Sequence, residues 1–477
     1  MIQLRDYQQD LIVRTRAALV KNKRVIMQAP TGAGKTALAC TMIASAVENG
    51  KSCMFLVHQN ELVKQTSAAF WQNKIADGLI FSGRVRTPHR VQVASIMTLK
   101  NRLDAYEAPQ LVVIDETHRA AARTYQDILA AWPDAYVVGL TATPQRTDGK
   151  GLDSVYSAIV KGPSIRYLID QGYLCDYELY GVPQKMDLRG VRTTAGDYNK
   201  GDLEKAADKP EIVGDAVAHY LKIAKGRRCV VMCVSIKHAE SVAAQYRAAG
   251  ISAAALHGLS DDRDGVLDKF ESGEIMVVAS VQLLVEGVDL PAIGCVQWLR
   301  PTKSLVIWMQ GNGRGLRPHA SKDRLIILDH VQNYARHGLP DMDREWSLEG
   351  NKKQGRSGDA DPNIGVQVCD HCYFSFRSGV SVCPHCGESV PLRERKLEIV
   401  DGELERIQKA QAEEQARIER RREQGKAREL EELVAVGVER GMRRPDVWAS
   451  NVFAARQKRK PNATDYARAS KAWREIA

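Results

Sequence analysis

A glycine-rich loop and a pair of adjacent acids are the two segments of this 477-residue chain whose residue types and spacing suit phosphate chemistry. The loop, APTGAGKT at 29–36, follows an apolar run and precedes a helical pattern. In such a context Gly32 and Gly34 let successive backbone N–H groups turn toward phosphate oxygens. Lys35 would reach the β- and γ-phosphates, and the Thr36 hydroxyl would ligate Mg²⁺. An ordinary Gly-rich loop is the alternative, because the loop begins with alanine where the general pattern has glycine.

Two carboxylates end the apolar run of LVVIDETH at 111–118. Asp115 could hold Mg²⁺ through water, and Glu116 could orient and deprotonate a water that attacks a phosphate in line. A loop whose acids face solvent is the alternative. Burying two carboxylates beside an apolar strand is costly without a cation. Together with the GKT loop, the pair therefore predicts a site for phosphoryl transfer with Mg²⁺.

Short runs rich in Val and Ile alternate with helical patterns through residues 1–145. The strand candidates lie at 25–29, 53–57, 91–96, 111–115 and 136–142. A helical pattern fills the stretch from Thr36 to Asn49. This alternation predicts a parallel sheet covered by helices on both faces.

The same alternation returns in the second half of the chain. Its strand candidates lie at 229–234, 252–256, 275–280, 295–299 and 325–330, with helical patterns at 236–249 and 262–271. The sequence therefore predicts two α/β halves that are joined somewhere within 165–215. The polar, Gly-containing stretch 191–201 is predicted to be a loop.

The composition is that of an ordinary globular protein, with 44% hydrophobic and 26% charged residues. This excludes a wholly disordered, collagenous or membrane-embedded chain. We find neither an apolar run near the ~18 residues that a spanning helix needs nor a signal peptide, so we expect a cytoplasmic protein without a membrane partner. The net charge of +10 favours nucleic acid as a partner. Charge alone leaves open a basic protein that has no such partner.

Four of the ten cysteines form one cluster, CDHCYFSFRSGVSVCPHCGE at 369–388. Two CxxC pairs at this spacing can place four thiolates around Zn²⁺, and metal would supply the folding energy of so short a segment. The predicted zinc ligands are Cys369, Cys372, Cys383 and Cys386. His371 and His385 are alternative ligands, an iron–sulfur centre is a competitor, and free or disulfide-bonded cysteines are the structural alternative. The other six cysteines indicate buried thiols in a reducing compartment.

A series of motifs in order resembles that of superfamily 2 helicases and translocases of the DEAD/DEAH type. Beyond the GKT loop and the DETH box, the matching segments lie at 4–8, 55–65, 93–99, 139–152, 285–291 and 310–317. The resemblance implies two RecA-like domains with ATP between them and nucleic acid across both. It also implies that nucleotide is bound by Gln8, Thr31, Gly32, Gly34, Lys35, Thr36, Asp115, Gly287 and Asp289.

The segment QGNGRGLR at 310–317 carries two arginines three residues apart. This pattern predicts arginine fingers that reach from the second half of the chain to phosphates bound by the first half. A basic surface loop is the alternative. Within the family pattern Gln310, Arg314 and Arg317 are the expected catalytic residues, together with Lys35 and the two acids. Ser280 and Gly311 depart from the family pattern without removing a charged group.

The stretch at 299–317, followed by the CxxC cluster, is similar to RadD-type bacterial proteins and their phage and prophage relatives, which are implicated in DNA repair and recombination. This resemblance implies an ATP-dependent DNA helicase or translocase acting in repair, recombination or phage replication, with repair or replication proteins as further partners. An RNA helicase and a non-catalytic DNA-binding adaptor are the alternatives. A restriction subunit is a further one, although we recognise no nuclease cluster in the sequence. The oligomeric state is left open.

The predicted organisation has five parts. They are a first RecA-like domain at 1–165, a second at 166–345, a linker at 346–366, a zinc ribbon at 367–390 and a charged helical tail at 391–477. The motor is expected to end near residue 345, with the ribbon as a satellite on the linker. Phe374 and Phe376 could stack on bases or pack the ribbon, and the basic C-terminal segment could contact phosphates or be a solvated tail.

Overall fold

The computed structural model describes most of the chain. It covers residues 3–81, 87–146, 148–181, 188, 190–194, 196–207, 210–260, 262–281, 290–350, 365–390, 427, 429–457 and 459–476. The chain divides into two compact units, Met1–Leu392 and Arg393–Ala477. None of the helices among these residues has the length and apolar character needed to cross a membrane.

Seven parallel strands form the first sheet, in the order β3-β4-β2-β5-β6-β1-β7. The strands are β1 (Arg24–Gln28), β2 (Cys53–Val57), β3 (Asp77–Ile80), β4 (Val91–Ser95), β5 (Leu111–Ile114), β6 (Tyr136–Thr141) and β7 (Ala158–Lys161). The helices are α1 (Asp6–Lys21), α2 (Lys35–Glu48), α3 (Asn60–Gln72), α4 (Ile96–Lys100) and α5 (Arg123–Ala131), with 3₁₀ turns at Leu103–Ala105 and Thr117–Arg119. The central strands are buried, which explains their apolar composition.

Six parallel strands form the second sheet, in the order β12-β13-β11-β14-β15-β8. They are β8 (Asp176–Gly181), β11 (Cys229–Met232), β12 (Ala253–Leu256), β13 (Val277–Ser280), β14 (Cys295–Trp298) and β15 (Arg324–Asp329), and a separate hairpin joins β9 (Thr193–Thr194) to β10 (Asp197–Tyr198). The helices are α6 (Ile165–Asp170), α7 (Lys200–Ala207), α8 (Pro210–Ile223), α9 (Ile236–Ala248), α10 (Arg263–Ser272), α11 (Leu305–Gly315) and α12 (Asn333–His337). The two predicted parallel sheets are thus confirmed.

The hairpin of β9 and β10 corrects the prediction of a plain loop at 191–201. Asp197 holds it against the segment before α11, where it accepts hydrogen bonds from the backbone N–H of Lys303 at 2.7 Å and from the Arg300 guanidinium at 2.8 Å. Asp197 and its two partners lie about 100 residues apart in sequence, so local composition could not reveal these contacts.

Two buried tryptophans fix α11 against the second sheet. The rings of Trp298 and Trp308 pack with their centroids 5.1 Å apart, and both are fully buried. Trp298 donates from Nε1 to Oδ1 of Asn312 at 2.9 Å, and Trp308 donates to the backbone O of Gly338 at 3.2 Å. Because each indole has its hydrogen-bond partner, the pair can be buried without an unsatisfied donor.

After α12 the chain crosses back to the first domain as a segment that we call the strap, residues 338–350. The backbone of its first half surrounds the Arg344 side chain. The Arg344 guanidinium donates to the backbone O of Leu339 at 2.9 Å and to the backbone O of Met342 at 2.8 Å. The backbone O of Leu348 then accepts from the N–H of Leu152 at 2.7 Å. Residues 346–350 of the predicted linker therefore pack on the first domain, and residues 351–364 lie outside the described part.

The ribbon contains a two-stranded antiparallel sheet, β16 (Val366–Val368) with β17 (Ser375–Arg377). It lies against β8, since the N–H of Gly181 donates to the backbone O of Tyr373 at 2.9 Å. Tyr180 also pairs with Phe374 in an antiparallel bridge. The ribbon thus packs against the second domain. The sequence had instead predicted a separate satellite on a linker.

The described residues of the second compact unit form three helices: α13 (Leu430–Glu439), α14 (Pro445–Arg456) and α15 (Ala463–Ile476). They enclose a small apolar core that includes Leu433, Val434 and Ala469. The described part of the predicted helical tail is therefore a packed three-helix unit. The charge-rich stretch 391–426 lies outside the described residues.

Candidate nucleotide and metal sites

The phosphate loop connects β1 to α2. Gly32 and Gly34 have φ values of 86° and 80°, in the left-handed region that glycine adopts without strain. Gly34 is the N-cap of α2, so Lys35 and Thr36 are its first two residues. The loop thus presents the positive end of a helix to an anion, as the sequence predicted.

Gln8 lies against this loop from α1. It donates from Nε2 to the backbone O of Ala33 at 2.9 Å, and the hydroxyl of Tyr7 donates to the same oxygen at 3.0 Å. A Cβ on Gly34 would overlap Nε2 of Gln8. The structure therefore places Gln8 at the nucleotide loop, while its contact with adenine stays a prediction.

The two acids follow β5 directly, and Glu116 is in a strained backbone conformation with φ of 47°. Its Oε1 lies 2.9 Å from Nζ of Lys35, and its Oε2 lies 3.3 Å from Nδ1 of His118. Burial alone would raise the pKa of Glu116, but the Lys35 ammonium and the neighbouring His118 outweigh burial, so the pKa is lowered. Glu116 therefore stays ionised, as a base that accepts a proton from water must be.

Asp115 is partly buried beside this ion pair. Burial raises its pKa to about 6, and the neighbouring carboxylate of Glu116 adds to the shift. A divalent cation beside Asp115 would favour its ionised form. The carboxylate of Asp115 and the exposed hydroxyl of Thr36 are the oxygen ligands that Mg²⁺ prefers, so these two residues fit the predicted magnesium site.

α11 of the second domain closes the site from the opposite side. Gln310 donates from Nε2 to Oε2 of Glu116 at 3.2 Å. A Cβ on Gly313 would lie 2.6 Å from the Cβ of Thr31, so the helix backbone packs directly on the phosphate loop. This close approach explains why the position carries no side chain.

The two predicted arginine fingers occupy the C-terminal end of α11 and the residue that follows its cap. Arg314 is the basic residue of the last turn. Cγ of Arg317 lies 3.6 Å from the place that a Cβ on Gly32 would take, and burial lowers the pKa of Arg317. Both arginines thus belong to the domain opposite Lys35, as predicted. Gly287 and Asp289 lie outside the described residues, so their predicted role stays untested.

Gln28, at the end of β1, is a site residue that the sequence reasoning missed. It donates from Nε2 to the backbone O of Ala142 at 3.1 Å, and its Oε1 accepts from the N–H of Gly162 at 3.1 Å. It therefore links the strand before the phosphate loop to the ends of β6 and β7. A polar residue at the end of an apolar strand, directly before a functional loop, was the available signal.

The four clustered cysteines have the geometry of a tetrahedral metal site. All four Sγ atoms lie within 4.8 Å of one another, and the Cys369–Cys386 and Cys372–Cys383 distances are both 3.7 Å. A tetrahedron with Zn–S bonds of about 2.3 Å has sulfurs about 3.8 Å apart. The cluster therefore fits the predicted Zn²⁺ and its four thiolate ligands.

The aromatic residues between the two CxxC pairs are used in packing. The Phe374 ring stacks on His385 with centroids 5.1 Å apart and meets Tyr180 of β8 edge-on at 5.6 Å. Phe376 is buried in the small core of the ribbon. Of the two possibilities that the sequence left open, the structure favours packing over stacking on bases.

Two family profiles match the two α/β domains. "Type III restriction enzyme, res subunit" matches residues 1–146, and "Helicase conserved C-terminal domain" matches residues 208–319. A "51.5 kDa protein" of Lactococcus phage (isolate 7-9) is 30% identical over 80% of this chain and 82% of its own length. The chain belongs to the superfamily 2 helicases. Its resemblance to RadD-type proteins stays a prediction.

Other similar proteins are covered by this chain to different extents. A candidate ATP-dependent helicase, IRC3 of Saccharomyces cerevisiae, is 32% identical over 69% of this chain, which spans 51% of that protein. The DNA 3'-5' translocase XPB2 of Sulfurisphaera tokodaii is 26% identical over 61% of this chain and 73% of its own length. A fragment of a candidate HsdR subunit of a type I restriction enzyme from Vibrio vulnificus YJ016 shares the helicase fold, with a TM-score of 0.55 and 23% identity over 70% of this chain and 67% of that one.

Proposed function

We propose that this helicase-superfamily chain hydrolyses ATP and uses the reaction to move on or remodel DNA, as a DNA helicase or translocase. The observation that carries the proposal is the contact between Gln310 and Glu116, because it brings the second domain onto the predicted base of the first. Hydrolysis at such a site would change how the two domains pack, which is the motion that a motor needs.

Each charged group has a role in phosphoryl transfer. Lys35 leaves Glu116 to bind the β- and γ-phosphates, and Glu116 then orients and deprotonates the attacking water. Thr36 and Asp115 would hold Mg²⁺, which would supply positive charge to the phosphates. Arg314 and Arg317 stabilise the charge that develops on the transferred phosphoryl group.

The domain packing explains how this chemistry could produce movement. In this structure α11 touches both the phosphate loop and Glu116. Exchange of ATP for its products changes the charge between the domains, so the attraction between the arginines and the loop also changes. Nucleic acid bound across both domains would then be held alternately by one and the other, which moves the protein along it.

DNA is the substrate that we favour over RNA. One relative is named a DNA translocase, and the phage relative agrees with a role in phage replication, repair or recombination. We propose repair or replication proteins as partners and the cytoplasm as the compartment. The net charge of +10 suits any polyanion and does not separate the two nucleic acids.

The deciding experiment is the ATPase rate measured without nucleic acid and then with single-stranded DNA, duplex DNA, forked DNA and RNA. We expect stimulation by at least one form of DNA and weaker stimulation by RNA. Preferential stimulation by RNA would favour an RNA helicase. DNA binding without ATP hydrolysis would favour the non-catalytic adaptor and overturn the proposal.

We further propose that the four cysteines bind one structural Zn²⁺ that braces the second domain. The contacts of Tyr373 and Phe374 with β8 support this role, because they place the metal module on an edge strand. Metal analysis of the purified protein tests it, with one zinc per chain expected. Iron and inorganic sulfide in equal amount would identify an iron–sulfur centre in place of zinc.

A further inference from the structure

The C-terminal turn of α11 carries both predicted arginine fingers, and Arg317 lies beside Gly32 of the phosphate loop. A helix leaves its last four carbonyl oxygens without partners inside the helix, so the direction of Arg314 and Arg317 depends on what holds this turn. α11 ends at Gly315, and Leu316 follows as its cap residue. A Cβ on Gly315 would lie 2.5 Å from Cδ1 of Leu325, so the turn is pressed against β15.

Lys322 ties this turn to the body of the second domain. Its Nζ donates to the backbone O of Gly315 at 2.6 Å and to the backbone O of Ile293 at 2.6 Å. Ile293 lies just before β14, which is a central strand of the second sheet. A lysine at a helix C-terminus also complements the negative end of the helix dipole.

Cys175 holds the neighbouring carbonyls from the other side. Its backbone N–H donates to the O of Leu316 at 2.9 Å, and its Sγ lies 3.5 Å from the O of Gly315. The carbonyls of Gly315 and Leu316 are thus both bonded from outside α11. The turn that leads from Arg314 to Arg317 has little freedom while these contacts persist.

The lysine occupies a place where its charge is disfavoured. Burial lowers the pKa of Lys322 to about 8; Cys175 opposes the shift, the guanidinium groups of Arg317 and Arg227 add to it, and Glu271 opposes it. An ammonium in such a place is costly unless it is hydrogen-bonded. The two short bonds to backbone carbonyls meet this requirement.

We propose that Lys322 is a positioning residue for ATP hydrolysis, which fixes the turn 315–317 so that Arg314 and Arg317 meet the phosphates in the transition state. The inference rests on the proposed ATPase function. Lys322 bonds to backbone carbonyls and acts through the arginines. Its loss should therefore reduce kcat more than it weakens ATP binding.

The experiment compares Lys322→Met, Lys322→Arg and Arg227→Met in the full chain. Arg227 is the matched control, because it is a second cation near Lys322 that instead donates to the backbone O of Arg324 and pairs with Asp323. We expect Lys322→Met to lower the basal kcat for ATP by about 10- to 100-fold, the range for misplaced catalytic groups, with KM changed by less than about threefold. Lys322→Arg should recover part of the rate, and Arg227→Met should stay near the parent rate.

Amide exchange of a peptide covering 314–318 provides a readout that does not need turnover. Faster exchange there in Lys322→Met, with unchanged exchange in β1 and α2, supports the positioning role. A parent-like kcat in Lys322→Met, or an equal loss of kcat in Arg227→Met, would overturn it. If the parent chain itself shows no ATPase activity, the proposed function fails, and unchanged exchange in Lys322→Met would overturn the positioning role separately.

Discussion

Gln310 donates a hydrogen bond from Nε2 to Oε2 of Glu116 at 3.2 Å, from one α/β domain to the other. Glu116 is therefore held by groups from both domains, since its Oε1 also lies 2.9 Å from Nζ of Lys35. Phosphates that bind Lys35 would compete with this pairing. The arrangement indicates that ATP binding must exchange the Lys35–Glu116 pair for a Lys35–phosphate contact and so release Glu116 for the attacking water.

The first prediction separates the cation of the loop from the base. Lys35→Ala should abolish hydrolysis, because the β- and γ-phosphates lose their local protein cation. Glu116→Gln should still bind ATP but hydrolyse it at least about 100-fold more slowly, which is typical of losing a general base. Single-turnover hydrolysis and nucleotide binding on the same preparations test this. ATP turnover at the parent rate in Glu116→Gln would show that another group is the base.

The second prediction concerns the arginines after α11. Arg314→Ala should lower kcat about 1,000-fold or more, the range for an arginine finger, with a much smaller change in nucleotide affinity. Lys269→Ala is the matched control, because Lys269 is an exposed cation of α10 in the same domain. Steady-state kinetics together with equilibrium binding of a non-hydrolysable ATP analogue provide the comparison. A loss of affinity with an unchanged kcat would assign Arg314 to ground-state binding.

The parts that the sequence predicted correctly are those with a local signal. Apolar runs such as Val25–Ala29 located the buried strands, and the loop with Lys35 and the pair with Glu116 follow directly from such runs. β3, β7 and β8 were missed, and β3 begins with Asp77 and Gly78, which have low strand propensity.

The parts that the sequence could not predict depend on contacts between distant segments. Lys322 has the same residue type as many surface lysines, and only the fold brings its ammonium to the end of α11. The strap has the polar composition of a linker, yet Leu348 pairs with Leu152 almost 200 residues earlier. The contact of the ribbon with β8 through Tyr373 is of the same kind.

The third prediction tests the metal cluster. Cys383→Ser should lose most of the bound zinc and unfold the ribbon, because a small metal module has little other folding energy. ATP binding should persist, since the phosphate loop lies in the other domain, while the loss of the ribbon's packing on β8 should lower Tm. Metal content, Tm and ATP binding on one preparation provide the measurement.

Cys40→Ala is the control for the zinc experiment, because Cys40 is a buried thiol of α2 outside the cluster and should leave the zinc content unchanged. Loss of ATP binding in Cys383→Ser would show that the ribbon supports the first domain as well. If the ribbon and the basic C-terminal unit contact DNA, Cys383→Ser should also weaken DNA binding, and by less at high salt. Full zinc content in Cys383→Ser would refute a four-cysteine site.

The fourth prediction concerns the strap, which joins the two domains at a second place. A Cβ on Gly151 would overlap the backbone O of Leu348. Gly151→Ala should therefore push the strap off the first domain at a cost of about 1–3 kcal/mol, typical of overpacking. The domains should then separate more readily, which would lower Tm, weaken ATP binding and speed amide exchange at 152–153, whose N–H groups donate to Leu348.

Gly258→Ala controls for the strap experiment, because a Cβ on Gly258 meets nothing within 4 Å and its backbone is outside the left-handed region. Only the methyl group added in Gly151→Ala meets the strap. A change in Tm that both variants share would therefore come from backbone entropy alone. Adding an ATP analogue tests whether the strap favours the closed arrangement of the two domains. If it does, a saturating analogue should restore most of the lost Tm in Gly151→Ala, because the ligand stabilises the closed state by mass action. Failure of ATP analogue to restore Tm, with parent-like nucleotide affinity, would show that the strap stabilises the first domain without affecting the cleft.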